Sequence, residues 1–265
     1  MGAFGQKLSI LVLGSGTSVG VPTIGCKCRV CQSPDPRDRR LRPSVLVRYH
    51  GRHIVVDTTP DFRQQALRAG LERLDAVLFT HAHADHILGL DDIRPLNFLM
   101  GGAIPIYGSE ETLGTIRQVF HYVFSDSQSE SSMPRLSVHT LDGRPFELFG
   151  LEIIPVPLKH GSGRVYGFRF GYAAYLTDHS EIPEESLELL EGLEVLFLDA
   201  LRHRPHPTHT TVARALEYVE RLRPKRAFFT HICHDLPHEE TERALPGHVR
   251  LAYDGLEITV GGCRR

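Results

Sequence analysis

No apolar run in this chain approaches the roughly 20 residues needed to cross a bilayer, so a membrane-spanning helix is not expected. The first apolar stretch, Leu8 to Leu13, follows only Met1 to Lys7, is short and lacks the cleavage site of a signal peptide. A cytoplasmic protein is therefore expected. An excess of one charge is also missing: 30 Lys and Arg stand against 32 Asp and Glu, a formal net charge of −2. That balance supplies no long-range field for nucleic acid. The densest basic run, Arg37-Asp38-Arg39-Arg40 with Arg42, reads as a solvated loop. Gly14 to Gly20 lacks the Lys-Ser/Thr of a phosphate loop, and Pro22 and Gly25 interrupt any helix after it. It reads as a tight turn that lets backbone come close to a site. No long internal repeat is present, although two strands end alike, in Phe79-Thr80-His81 and Phe229-Thr230-His231, which suggests two similar halves.

Cysteine is sparse, five in 265 residues, yet three fall within six positions as Cys26, Cys28 and Cys31. In a reducing compartment clustered thiols bind metal, and these three can fill three corners of a zinc tetrahedron that needs a fourth ligand from elsewhere. Histidine is abundant. Four metal-binding side chains crowd the stretch His81-Ala82-His83-Ala84-Asp85-His86, directly after the apolar run Leu74 to Phe79. Neutral imidazole and carboxylate suit zinc, manganese or iron. His81 and His83 reach one ion from an extended segment; Asp85 and His86 project differently and suit a second.

A length of 265 residues and a hydrophobic fraction of 41% are compatible with one large α/β domain or two small ones. Alternating strand and helix patterns favour α/β. Strands are expected over 8–13, 44–49, 53–56, 75–79, 105–107, 151–158, 165–170, 173–177, 195–198 and 227–230. Helices are expected over 60–67, capped by Thr59 with Pro60 first, and over 87–93, 110–120 and 210–222. A Ser-rich surface loop is expected over 125–134. The ends of these strands carry Asp57, His81, His160, Asp178, Asp199 and His231. Strand ends on one sheet edge converge, and that edge is where α/β architectures place ligands. Asp57 either caps a turn or orients a ligand histidine.

With these residues the chain resembles the metallo-β-lactamase superfamily, whose His-x-His-x-Asp-His signature stands here as His81, His83, Asp85 and His86. The resemblance covers essentially the whole chain and implies an αββα sandwich of two mixed sheets flanked by helices, a single domain over residues 1–265. It also implies a dinuclear site: His81, His83 and His160 on one ion, Asp85, His86 and His231 on the other, and Asp178 between them. Two divalent metals, manganese or zinc, are the implied cofactors. The opening Leu13-Gly14-Ser15-Gly16-Thr17-Ser18 and the Cys26-x-Cys28-x-x-Cys31 loop are similar to the phosphoribosyl 1,2-cyclic phosphate phosphodiesterases of that superfamily. That group carries an additional structural zinc, for which His234 is the implied fourth ligand and Cys233 the rival. His209 resembles its catalytic histidine, with His203 and His206 nearby, and Asp85 shares in proton handling.

The expected activity is metal-dependent hydrolysis of a small cyclic phosphodiester, as in phosphonate metabolism, with two ions activating water and taking up charge on the phosphate oxygens. The expected partner is a small phosphorylated metabolite, with no membrane and no nucleic acid beyond small cyclic nucleotides, and the resemblance is compatible with a homodimer. Thioester or lactone hydrolysis, RNA 3′ processing and a non-catalytic role in cofactor biosynthesis are the alternatives that share the signature.

Overall fold

The computed structural model describes residues 8–125 and 132–261. In β1 (Leu8–Gly14), Leu8, Ile10 and Val12 enter one apolar cluster while Leu11 and Leu13 enter another, as a strand covered on both faces requires. Its neighbour β2 (Ser44–Tyr49) turns back into β3 (Arg52–Val56). Three more strands, β4 (Ala76–Leu78), β5 (Ile104–Gly108) and β6 (Leu136–Thr140), then add in parallel.

The second sheet contains β7 (Phe146–Leu148), β8 (Leu151–His160), β9 (Gly163–Phe170), β10 (Ala173–Leu176), β11 (Val195–Asp199), β12 (Arg226–Thr230) and β13 (Val249–Leu251). Its last four strands are parallel. The closing strand β14 (Glu257–Val260) returns to β1, so the orders are β14-β1-β2-β3-β4-β5-β6 and β13-β12-β11-β10-β9-β8-β7.

The sheets meet through Ile10, Val47, Ile54 and Leu78 on one side and Phe168, Phe170, Tyr175 and Phe197 on the other. Each such fully buried aliphatic or Phe side chain contributes about 1.5–3 kcal/mol. Outside the first sheet lie α1 (Phe62–Arg68), α2 (Ala84–Ile87), α3 (Arg94–Met100), α4 (Glu110–Val119) and α5 (His121–Phe124), which supply Phe62, Leu96, Leu113 and Ile116 to its outer face. Outside the second lie α6 (Glu184–Glu188), α7 (Val212–Leu222) and α8 (His238–Ala244), with Leu187, Val212, Ala215 and Val219 buried against it. The result is the four-layer αββα sandwich implied by the resemblance. Among the described residues no helix is long and apolar enough to cross a membrane.

Several local expectations change. The helix expected over 87–93 is instead α2, a 3₁₀ turn at Leu90–Ile93 and α3. The break falls at Gly89, whose backbone passes so close to Thr59 that a Cβ there would lie 1.9 Å from the Thr59 carbonyl oxygen. Helix α1 starts at Phe62, not Pro60, because the Thr59 hydroxyl accepts from the Asp61 amide and closes a turn first. Arg40 is not solvated. It is 1% exposed, and its guanidinium donates to the carbonyls of Arg37, Cys233 and Leu236 and to Asp38. The glycine-rich turn does make a close approach: Ile232 donates to the Ser15 carbonyl, and Thr17 donates to that of Ile232. Of the loop expected over 125–134, residues 126–131 lie outside the described residues, as do Met1 to Lys7.

Candidate metal centre

The strand ends meet at one edge of the sandwich, and three of them are turned by a left-handed residue that is not glycine. Asp57 follows β3 with φ 64°, Asp178 follows β10 with φ 53°, and His231 follows β12 with φ 56°. Asp and His tolerate this region better than most side chains, and such backbone persists where the surroundings hold it. It lets each parallel strand end abruptly with its polar side chain over the edge.

Two groups of possible ligands flank Asp178, and a third, overlapping them, joins Asp178 and His231 to Asp199 and His209. His81, His83 and His160 form one; Asp85, His86, Asp178 and His231 form the other, with the donor atoms of each group within 4.8 Å of one another. Asp178 lies between them: Oδ2 is 2.8 Å from His86 Nε2 and 3.8 Å from His81 Nε2, while Oδ1 is 3.0 Å from His231 Nε2. Asp85 Oδ2 is 3.2 Å from His86 Nε2.

The partners of the other ring nitrogens fix the tautomers. The carboxylate of Asp57, fully buried, accepts from the Thr80 amide and hydroxyl and from His86 Nδ1 at 2.8 Å. With its own proton given to Asp57, the Thr80 hydroxyl accepts from His81 Nδ1 at 3.0 Å. His160 Nδ1 donates to the Thr208 carbonyl at 2.9 Å. Each of these rings therefore keeps its proton on Nδ1 and turns Nε2 towards the site, the orientation a metal ligand requires; burial opposes a second proton on His86, but Asp178, Asp57 and Asp85 outweigh it and raise it well above the ordinary histidine value, a charge that a cation at Nε2 would replace.

The donor set fits divalent cations. His81 Nε2 and His83 Nδ1 are 2.8 Å apart, a distance at which two lone pairs repel unless a proton or cation is shared between them. His86 Nε2 and both nitrogens of His231 are buried with no hydrogen-bond partner. The nearby Asp178 oxygens are close enough for electrostatic attraction yet misaligned for hydrogen bonding. Burial opposes the charge on Asp178, but His231 and His86 outweigh it and hold its carboxyl well below the usual range. Burial pushes His81 and His231 down.

His209, Asp199 and His206 form the remaining wall. His209 stacks on His231 at 4.4 Å between ring centroids, with His160 at 5.0 Å, and its Nδ1 lies 2.9 Å from Asp199 Oδ2. Burial works against its protonation, but Asp199 outweighs this and raises it above the ordinary histidine value. His206 sits 5.0 Å from His209, its Nδ1 accepting from the Thr208 amide. His203 lines a separate groove beside Cys28 and His234. A cleft of about 460 Å³ opens on His81, His83 and His160, bounded by the start of α4 and the turn between β8 and β9.

The second cluster forms on the adjacent loops. His234 Nδ1 is 3.3 Å from Cys26 Sγ, 3.6 Å from Cys28 Sγ and 3.4 Å from Cys31 Sγ. Cys233 Sγ instead accepts from the Asp235 amide. The Cys31 amide lowers the Cys28 thiol to about 7, while burial pushes Cys31 up to about 11. A soft cation would hold all three as thiolates.

The sequence reading missed Thr80 and Thr208, and it placed Asp199 at the edge without giving it a role. The Thr208 carbonyl had no signal, since any residue supplies one. Thr80 could have been suspected from its place between Phe79 and the first ligand histidine.

A family model for a β-lactamase superfamily domain matches residues 52–232. A solved diphosphatase of the PhnP family is 53% identical, with a TM-score of 0.92 over 97% of this chain and 99% of its own. Zn²⁺-bound PqqB from Methylobacterium extorquens shares the fold at 20% identity, with a TM-score of 0.72 over 94% of this chain and 99% of its own. Among curated proteins, an octanoyltransferase of Porphyromonas gingivalis is 38% identical over 253 residues, 94% of this chain and 51% of that one. The chain spans about half the length, or less, of the curated relatives it matches.

Proposed function

The chain belongs to the β-lactamase superfamily and, within it, to the PhnP family of metal-dependent hydrolases, and on that premise we propose that it hydrolyses a phosphoryl bond in a small phosphorylated metabolite at a dinuclear metal site. The observation that carries this reading is Asp178 standing between two groups of donors, with Nε2 of His81, His86 and His160 turned inward. His81, His83 and His160 would hold one ion, Asp85, His86 and His231 the other, and Asp178 both. When bound, such a pair supplies Lewis-acid charge and an activated water for attack on phosphorus.

The protein's own groups do the rest. Asp57 and Thr80 keep His81 and His86 in the ligating tautomer. Asp199 accepts from His209 Nδ1, so His209 carries its transferable proton on Nε2 and delivers it to the leaving oxygen. Cys26, Cys28, Cys31 and His234 would hold a structural zinc. The cleft is small enough to favour a compact substrate such as a ribosyl cyclic phosphodiester. The diphosphatase relative supports a phosphoanhydride as the other member of the same class.

His209→Ala is expected to lower kcat by about 10²–10⁴-fold. Metal content should stay unchanged in that variant; loss of metal would contradict the assigned role. Asp199→Asn is expected to lower kcat less, by disturbing the orientation of His209; the same oxygen also accepts from the His179 amide and lies 3.9 Å from His231 Nδ1, so metal content is measured beside kcat, and a fall in metal would assign Asp199 to the ligand shell.

A second reading follows from the octanoyltransferase relative: acyl-thioester hydrolysis on the same centre. The discriminating assay offers the metal-loaded protein ribose 1,2-cyclic phosphate 5-phosphate, a nucleoside diphosphate and an octanoyl thioester. Turnover of either phosphate compound well above the thioester supports the proposal. The reverse order overturns it.

A further inference from the structure

His231 and His234 lie three residues apart and face different clusters, so one short segment serves both. The intervening backbone is held from two sides. Ile232 bonds to Ser15 and Thr17 of the glycine turn, and the Cys233 amide donates to the Leu201 carbonyl. The other support is Arg40. Its backbone pairs in both directions with Val21, which packs with Val30 and Cys31 in the small core of the cysteine loop. Its guanidinium, wholly buried, donates to the carbonyls of Cys233 and Leu236 and to Asp38 Oδ1. The same Asp38 oxygen accepts from the His238 amide at the start of α8. Arg40 is thus bonded through its main chain to the loop carrying the thiols and through its side chain to the segment carrying His231 and His234.

A buried guanidinium is strongly disfavoured unless its donors are satisfied, and here the carbonyls on either side of Asp235 supply that satisfaction. The arrangement holds only while both loops keep their places. We propose that Arg40 is a positioning residue that couples the two centres, so that occupation of the Cys26, Cys28, Cys31 and His234 site raises the metal affinity of the dinuclear site by fixing His231. This rests on the metal assignments proposed above but not on any substrate.

The test titrates Co²⁺ into the metal-free full chain. Thiolate-to-cobalt charge transfer reports the cysteine site together with that site's own d–d bands; the d–d intensity that does not rise with the charge transfer reports the His/Asp site, and competition with a chelator gives each affinity. Arg40→Gln, with every proposed ligand intact, is expected to bind Co²⁺ about 10–100-fold more weakly at the dinuclear site. Arg40→Lys should recover part of that loss, since an ammonium keeps the charge and some donors but not the planar fork. Cys31→Ser should shrink the charge-transfer band and weaken Co²⁺ affinity at the cysteine site, and the affinity of the dinuclear site should fall with it.

Should these variants fail to fold, blocking the thiols of the wild-type chain with a mercurial empties the cysteine site without a substitution. The d–d affinity should then fall by the same factor. Dinuclear affinity within about twofold of the untreated wild type after the thiols are blocked, or in folded Arg40→Gln, overturns the coupling. Absence of a charge-transfer band in the wild-type chain removes the cysteine site as a metal site, and the coupling with it.

Discussion

Asp178→Asn is expected to lower kcat/KM by at least about 10³-fold, equivalent to roughly 4 kcal/mol of lost transition-state stabilisation. Both carboxylate oxygens are committed: Oδ2 faces His86 and His81, while Oδ1 faces His231 and accepts from the Thr177 hydroxyl. Asparagine preserves the shape and tolerates the left-handed backbone at this position, so the fold should survive. It removes the negative charge between the two groups and points an N–H₂ at imidazole nitrogens that already face inward. Metal analysis of the purified variant should show depletion at the dinuclear site, with the cysteine site still filled. Full activity with normal metal content would show that Asp178 does not hold the two ions.

Asp57→Ala combines a metal effect with a stability effect. The Asp57 side chain is fully buried and accepts three hydrogen bonds, from the Thr80 amide, the Thr80 hydroxyl and His86 Nδ1. Alanine leaves the Thr80 amide without its acceptor and His86 Nδ1 with only the Thr80 hydroxyl, 3.4 Å away, in a region water does not reach. Removing one member of a buried charged pair costs about 3–5 kcal/mol. Urea unfolding of the metal-free protein should show a loss of that size. Because Asp57 sets the tautomer of His86 directly and of His81 through Thr80, affinity for both ions should also fall, by about 10–100-fold. Asp57→Asn should destabilise less, since it keeps one acceptor. An unaltered unfolding midpoint in the alanine variant would contradict the buried network.

Comparison of the sequence with the structure shows which physical signals are local. The buried strands were legible because both faces are covered and the residues read as short apolar runs, as in Val195–Asp199. His81, His160 and His231 stand out because each comes just after such a run, whereas His209 follows Pro207 and Thr208 and is singled out by the resemblance alone. The break at Gly89 was not legible, since it depends on the distant Thr59 carbonyl. Arg40 was misjudged for the same reason: a basic run looks solvated, and only the approach of Cys233 and Leu236 makes one of its members a buried tie. Charge patterning along a chain reports average exposure, not the exception that is satisfied by main-chain carbonyls. The left-handed turns at Asp57, Asp178 and His231 carry no pattern at all. They become intelligible only once the strands they terminate are side by side.

Stepwise reconstitution of the metal-free protein with Zn²⁺ or Mn²⁺, following bound ions per chain and phosphate-ester hydrolysis together, tests the dinuclear site most directly. Hydrolysis is expected only as the His81/His83/His160 and Asp85/His86/His231 groups both fill, with about three zinc ions per chain at saturation when the cysteine site is included. Full hydrolysis with a single ion bound per chain would contradict the dinuclear mechanism.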